Sequence, residues 1–347
     1  MTRGTILSVD AMGGDHAPGV IVDGVAVFLR ERPNTRILLF GDEPSLTPLV
    51  AAYAGLSAQC DIIHCDHKIT SEMKPSQALR RGKGSSMWNA LEAVKDGRAN
   101  ASVSAGNTGA LMAMSKLQLR PMTGVTRPAI AAFFPTVGEL VCMLDLGANI
   151  ECDAENLVQF AILGQAFHRS LTGKESPRLG LLNVGEEEQK GHDYLRVASR
   201  RLSDPELGVN YQGFVEGSDI TNGQLDVVVT DGFSGNVALK MAEGISSMFT
   251  RLLRRSLNKS FLSRLGYLLA RSALSEMRTH IDPRHYNGAV FLGLNGIAVK
   301  SHGGADRIGF ANAINVALEL VDHGFLPDVS AAIARANTII DRKDDDV

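Results

Sequence analysis

One pattern recurs along this chain and limits what it can fold into: a short apolar run, a loop rich in Gly or Asp, then an amphipathic stretch. Thr5–Val9 leads into Asp10-Ala-Met-Gly-Gly-Asp15 and Pro18–Arg30, and Ile37–Phe40 into Gly41-Asp42 and Ser45–Ala54. Ala101–Val103 leads into Ser104-Ala-Gly-Asn-Thr-Gly109 and Ala110–Leu119, and Leu140–Leu144 into Asp145-Leu-Gly-Ala-Asn149 and Ala154–Phe167. Leu179–Leu182 leads into Asn183-Val-Gly-Glu186 and Gly191–Leu202, and Asp226–Val229 into Thr230-Asp-Gly-Phe-Ser-Gly-Asn236 and Val237–Met248. Strands that are apolar throughout, alternating with helices, specify an α/β fold with a mostly parallel sheet covered on both faces. Ligands of such sheets bind beyond the carboxyl ends of the strands. The least generic residues of this sequence fall in those loops.

At 347 residues the chain can bury a large core without staples. No linker-like boundary appears, so we expect one α/β catalytic domain over 1–340 in two lobes, about 1–120 plus 280–340 and about 121–280. The charged end, 341–347, reads as a flexible tail. A net charge of −3 gives no long-range attraction to nucleic acid, so a charged partner has to be met by a local patch. Cys60, Cys65, Cys142 and Cys152 form no CxxC pair and read as reduced cytosolic thiols. Asp10 and Asp15 interrupt the N-terminal apolar run before it can act as a secretion signal. No apolar run reaches the roughly 20 residues that span a bilayer. The expected location is the cytoplasm.

The Ser104–Gly109 loop follows a strand and opens a helix, so its backbone N–H groups and the helix N-terminus favour an anion, most simply phosphate. Ser104, Asn107 and Thr108 add side-chain donors, and Gly106 and Gly109 let the backbone approach. The Asp231–Asn236 loop has the same design. Tight strand–helix turns alone also account for such glycines. No GxGxxG occurs, and Gly82-Lys83-Gly84-Ser85 and Gly173-Lys174 lack the upstream Gly of a nucleotide loop, so no cofactor is expected. In Gly185-Glu-Glu-Glu-Gln-Lys190-Gly191 the acids read as the start of a helix, with Lys190 one turn inside. Arg127, before Pro128-Ala129, reads as an anion clamp or a surface residue. Lys300 and His302 stand at a strand end beside Gly303-Gly304, a setting that suits an oxyanion. His64-Cys65-Asp66-His67 has metal-ligand residue types but no second cluster to complete a site, and no metal is expected.

No Gly-x-Ser-x-Gly elbow or nucleophilic Cys motif is present. Phosphate can itself be the nucleophile of an acyl transfer, which then needs only a held phosphate, an oriented carbonyl and a stabilised oxyanion. From Gly244 to Leu274 apolar residues recur at helical spacing, broken at Asn258-Lys259-Ser260, with Arg251, Arg254, Arg255, Lys259, Arg264 and Arg271 around them and no acid between Glu243 and Glu276. This reads as a basic helical hairpin, 245–274, suited to an anionic membrane surface or an acidic protein. A core helix pair with a solvated basic face is the alternative.

Taken in order, these segments resemble the phosphate acyltransferase family of bacterial phospholipid synthesis. The likeness is carried by Asp10–Pro18, Ser104–Leu111, Arg127-Pro128-Ala129, Leu144–Asn149, Leu182–Gly191, Val215–Ile220, Val229–Asn236, and Tyr286–Ala289 through Val299–Gly303. The resemblance implies reversible transfer of a fatty acyl group from an acyl carrier protein thioester to inorganic phosphate, giving acyl phosphate. It implies a three-layer α/β/α fold like that of isocitrate and isopropylmalate dehydrogenases, with a protruding helical hairpin. It further implies a homodimer that works at the inner face of the membrane. There Arg254, Arg255, Leu257, Phe261, Leu262 and Leu265 would make the contact, and a glycerol-phosphate acyltransferase would take the product.

Carried onto this chain, the resemblance makes Lys190, Asn236 and His302 catalytic. Ser104, Gly106, Asn107, Thr108, Gly109, Asn149, Asp231, Ser234 and Lys300 would then hold phosphate or substrate. Two other readings stay open. One is a metal- and NAD-dependent decarboxylating dehydrogenase using Asp226 and Asp231. The other is a non-catalytic scaffold tethered to the membrane by the hairpin tip.

Overall fold

The computed structural model describes residues 4–272, 274, 277 and 282–345, the side chains of 261, 264, 265, 283 and 341–345 excepted. The strands are β1 (Ile6–Asp10), β2 (Arg36–Gly41), β3 (Cys60–His64), β4 (Ala101–Ser104), β5 (Ala129–Phe134), β6 (Val141–Leu144), β7 (Arg178–Leu182), β8 (Asn210–Val215), β9 (Val227–Val229), β10 (Ala289–Leu292) and β11 (Ile297–Lys300). The first helices are α1 (Gly19–Glu31), α2 (Glu43–Ala51), α3 (Pro75–Arg81), α4 (Ser86–Lys95), α5 (Thr108–Leu119) and α6 (Ala154–Thr172). There follow α7 (Asp193–Leu202), α8 (Gly232–Leu257), α9 (Phe261–Leu269), α10 (Arg307–Asp322) and α11 (Phe325–Asp345). Every apolar run predicted as a strand is one. A polar cap sets the start of α6: the Asp153 carboxylate accepts from Asn156 N–H while the Asn156 amide oxygen accepts from Asp153 N–H, and the helix ends at left-handed Gly173.

The strands form one 11-stranded sheet in the order β3-β2-β1-β4-β11-β10-β5-β6-β9-β7-β8. Val227, Val228 and Val229 of β9 are all fully buried, as a strand covered on both faces must be. One layer packs Phe28 of α1, Phe160 and Phe167 of α6, Phe310 of α10 and Phe325 of α11 against the sheet. The other packs Met87 and Leu91 of α4 with Leu111 and Met114 of α5. The expected three-layer α/β/α architecture is therefore present.

Strand direction reverses in the middle. β3, β2, β1, β4 and β11 are mutually parallel, as are β6, β9, β7 and β8. Between them β11 pairs antiparallel with β10, β10 with β5, and β5 with β6. Three reversals turn the second set end for end, so the loops singled out in the sequence occupy two opposite edges of the sheet. We call these the α5 edge and the α8 edge.

Helix α8 connects them. It starts at the α8 edge, and its 26 residues extend about 39 Å, whereas strands of this length cover only about 10–20 Å. Only Gly232 and Gly235 of α8 are buried, so the rest of the helix stands clear of the core, and with α9 it forms the expected protruding hairpin, broken at Asn258–Ser260 as the sequence indicates. Phe261 and Leu265 lie outside the residues whose side chains are described.

Asp226 ties the starts of the second strand set together. It is fully buried and accepts from Lys174 Nζ at 2.8 Å, Arg178 N at 2.7 Å and the Arg178 guanidinium at 3.0 and 3.1 Å. Burial raises its pKa, but the bonds from Arg178 and Lys174 outweigh burial and bring it down to about 2. The carboxylate thus stabilises the fold fully above its ordinary value of 3.8, and that contribution is lost as pH falls toward about 2. Asp226→Asn should destabilise the protein at pH 7 by about 3 kcal/mol, the scale of a broken buried pair. The gap to the parent should shrink through the acid limb, as read by denaturant unfolding across pH.

Candidate active site

At the α5 edge, β1, β4 and β11 end side by side. Asp10 is buried and accepts from Ser104 Oγ at 2.6 Å, while Ser104 Oγ accepts from Gly106 N–H at 3.0 Å. Burial raises the Asp10 pKa. The Ser104 hydroxyl is therefore used within the loop. Asn107 caps α5: its Oδ1 accepts from Ala110 N–H, and its amide donates to the carbonyls of Ser71 at 2.7 Å and Met73 at 3.0 Å. Thr108 is exposed in the first turn of α5. Lys300 Nζ donates to the carbonyls of Ala105 and Ser301, and burial lowers its pKa to about 8 against the pull of Asp15 and Asp10. His302 is exposed, and its Nδ1 accepts from Gly304 N–H at 3.1 Å.

At the α8 edge the central group is Asp145, fully buried. It accepts from the N–H groups of Ile130, Gly147, Ala148 and Asn149, and from the Asn149 amide at 2.9 Å. Burial raises its pKa despite these bonds. Asn149 also donates to the Pro128 carbonyl at 2.8 Å, so its amide holds the loop. Arg127 donates to the Glu151 carbonyl on the same loop. The loop packs directly on the start of α8: a Cβ at Gly232 or Gly235 would collide with the carbonyls of Asn149 and Asp145. Asp231 caps α8, accepting from Ser234 N–H at 2.8 Å and Ser234 Oγ at 3.0 Å. Asn236 is exposed one turn on, beside Gly147.

A cavity of about 750 Å³ opens beside this platform. Asp231, Ser234, Thr230 and Asn183 line it with polar groups, and Ile150, Leu182, Val184, Leu195 and Phe233 line it with apolar ones. His192 stacks on Tyr194 at its side, with ring centroids 5.4 Å apart. Cys152 is also in the wall, and burial pushes its thiol up to about 12. It is not a thiolate near neutral pH and is no nucleophile.

The two edges split the expected catalytic set. Lys190 and Asn236 follow strands that end at the α8 edge, and His302 follows β11, which ends at the α5 edge. Lys190 also departs from its expected setting. Helix α7 begins only at Asp193, so Glu186–Lys190 is a loop and its acids do not start a helix. In that loop Lys190 Nζ pairs with Glu187 at 2.7 Å, which raises the lysine pKa and lowers that of the glutamate. Asp226 and Asp231 flank opposite ends of β9 and cannot share a metal ion, which removes the dehydrogenase reading. The apolar cavity wall was missed in the sequence, although Ile150, Val184 and Phe233 are large apolar residues in otherwise polar loops.

Lys190→Ala should lower turnover at least about 100-fold, the scale of a lost oxyanion donor. Cys152→Ala should leave turnover near normal. Steady-state rates of the two purified variants check both.

Comparison with known proteins places this geometry. The family described as "Fatty acid synthesis protein" matches residues 5–327. The chain is 51% identical over 339 residues to a phosphate acyltransferase of Rhodospirillum rubrum, covering 98% of this chain and 97% of the relative. It is 53% identical to that of Gluconobacter oxydans, covering 91% and 86%. Among solved structures, a phosphotransacetylase from Streptococcus pyogenes superposes with a TM-score of 0.63 at 15% identity, over 93% of this chain and 95% of that one. The EutD phosphotransacetylase of Staphylococcus aureus gives 0.59 at 16% identity, over 92% and 95%. At such identities the likeness concerns the fold. The relatives, at half identity over nearly the whole length, settle the rest: this chain belongs to the phosphate acyltransferase family and is an acyltransferase.

Proposed function

We propose that the enzyme transfers a fatty acyl group from an acyl carrier protein thioester to inorganic phosphate, releasing acyl phosphate and free carrier. The observation that carries this reading is the α8 edge. There the loop that Asp145 holds through its backbone N–H groups packs on the start of a long helix whose first turn lines the cavity. Lys190 and Asn236 belong to the same edge, and the Cys152 thiol in the wall is held neutral by burial. An oxygen of phosphate attacks the thioester carbonyl. A C–O bond forms, the C–S bond breaks, and the carrier leaves as a thiol after taking up a proton. Lys190 exchanges Glu187 for the phosphate or the developing oxyanion. The fold shared with phosphotransacetylases supports the reading.

The protruding arm supports work at a membrane face. Arg254 and Arg255 are exposed, and so are Leu262 at 77% and Leu269 at 82%. Such a basic, apolar tip suits anionic lipid. No helix among the described residues is long and apolar enough to cross a membrane. Lower on α8, Val237, Met241, Ile245, Met248 and Leu252 form one exposed apolar stripe, which supports pairing with a second copy. An acyl phosphate made there would be used by a glycerol-phosphate acyltransferase.

Incubation with an acylated carrier protein and phosphate, followed by hydroxylamine, should yield fatty hydroxamate only when phosphate is present. Folded enzyme that yields none contradicts the reading.

A further inference from the structure

We propose that the cavity beside the start of α8 is the acyl-chain subsite, and that Ile150, Val184 and Phe233 set the chain length the enzyme prefers. The inference rests on the function proposed above and gives it a location. Three large apolar side chains are exposed in loops that are otherwise polar: Ile150 at 70%, Val184 at 76% and Phe233 at 63%. They come from the loops after β6 and β7 and from the first turn of α8, and all three line the one cavity. Isolated exposed apolar residues need no explanation, but convergence of three from separate loops on one concavity marks a ligand surface.

The chemistry of the wall selects the occupant. Leu182, Leu195 and Cys152 continue the apolar lining inward, and the Cys152 thiol stays neutral because burial pushes it up to about 12. Most of the polar lining, Thr230, Asp231 and Ser234, is at the α8 start, with Asn183, His192 and Tyr194 beside it, and Glu151 next to Ile150 is the exception. A ligand that is apolar along its length and polar at one end matches that division. A fatty acyl thioester has this form, with its carbonyl toward α8 and its chain along Ile150, Val184 and Phe233. A carrier's amide-rich prosthetic arm would place its polar groups against the apolar wall. The volume of about 750 Å³ lies in the ordinary range of small-molecule sites, roughly 300–1,000 Å³.

Burial of each methylene strengthens binding about fourfold. Lengthening the acyl donor should therefore lower KM by about that factor per carbon until the cavity is full, and kcat should change little. Val184→Trp narrows the cavity, and Ile150→Asp places a charge in its wall. Both sites are exposed, so neither change threatens the fold. Each should raise KM for long-chain donors at least tenfold and leave a short-chain donor unaffected. Equal effects at all chain lengths, or none at any, would overturn the proposal.

A second readout needs no turnover. A fluorescent fatty acid should bind the parent protein and be lost from Ile150→Asp, and undiminished binding by that variant also overturns the assignment. If the probe behaves as expected but no donor gives acyl phosphate, the cavity assignment stands and the reaction proposed above falls.

Discussion

Three antiparallel pairings, β11 with β10, β10 with β5 and β5 with β6, govern everything else in this molecule. They reverse half of the sheet, so strands that are parallel within each half present their carboxyl ends at opposite edges. Each edge then carries the same device. A buried aspartate at a strand end, Asp10 on one side and Asp145 on the other, pins a loop by hydrogen bonds. Beside it a capped helix begins, α5 behind Asn107 and α8 behind Asp231. The interior cost of each buried carboxyl is offset locally by N–H and O–H donors, which is also what makes the loops rigid. Helix α8 starts at one edge and passes the other, where Lys240 is close enough to act electrostatically on Lys300.

Much of the fold was legible because the strands declare themselves. Val227–Val229 and Val141–Leu144 are apolar without interruption, and α6 starts at Ala154 as expected, whereas α5 and α8 start earlier, at Thr108 and Gly232, inside segments read as loops. The break of the hairpin at Asn258–Ser260 was equally plain. Strand direction was not. Ala289–Leu292 has no feature that separates an antiparallel strand from a parallel one, since that choice is made by long-range pairing. The loops after β1, β4 and β11 and those after β6, β7 and β9 therefore lie at opposite edges, a division the sequence pattern does not show.

The candidate site was legible in its residue types and obscured in their use. Ser104, Asn107 and Asn149 were read as donors for a ligand, and their hydrogens are taken by Asp10, by backbone carbonyls and by Asp145. A side chain that caps a helix and one that binds phosphate draw on the same few amino acids, so sequence alone does not separate them. What remains for a ligand at the α8 edge is the start of α8 on a rigid loop, the Lys190 loop and a cavity with a largely apolar wall. The Cys152 thiol in that wall is held neutral by burial and offers no thiolate for a covalent relay.

The central claim is that phosphate itself attacks the thioester, with both substrates bound together. Initial rates measured with acyl carrier thioester and phosphate each varied at several fixed levels of the other test this most directly. Direct attack in a ternary complex predicts double-reciprocal lines that intersect. Parallel lines, the sign of an acyl-enzyme formed before phosphate enters, would contradict it.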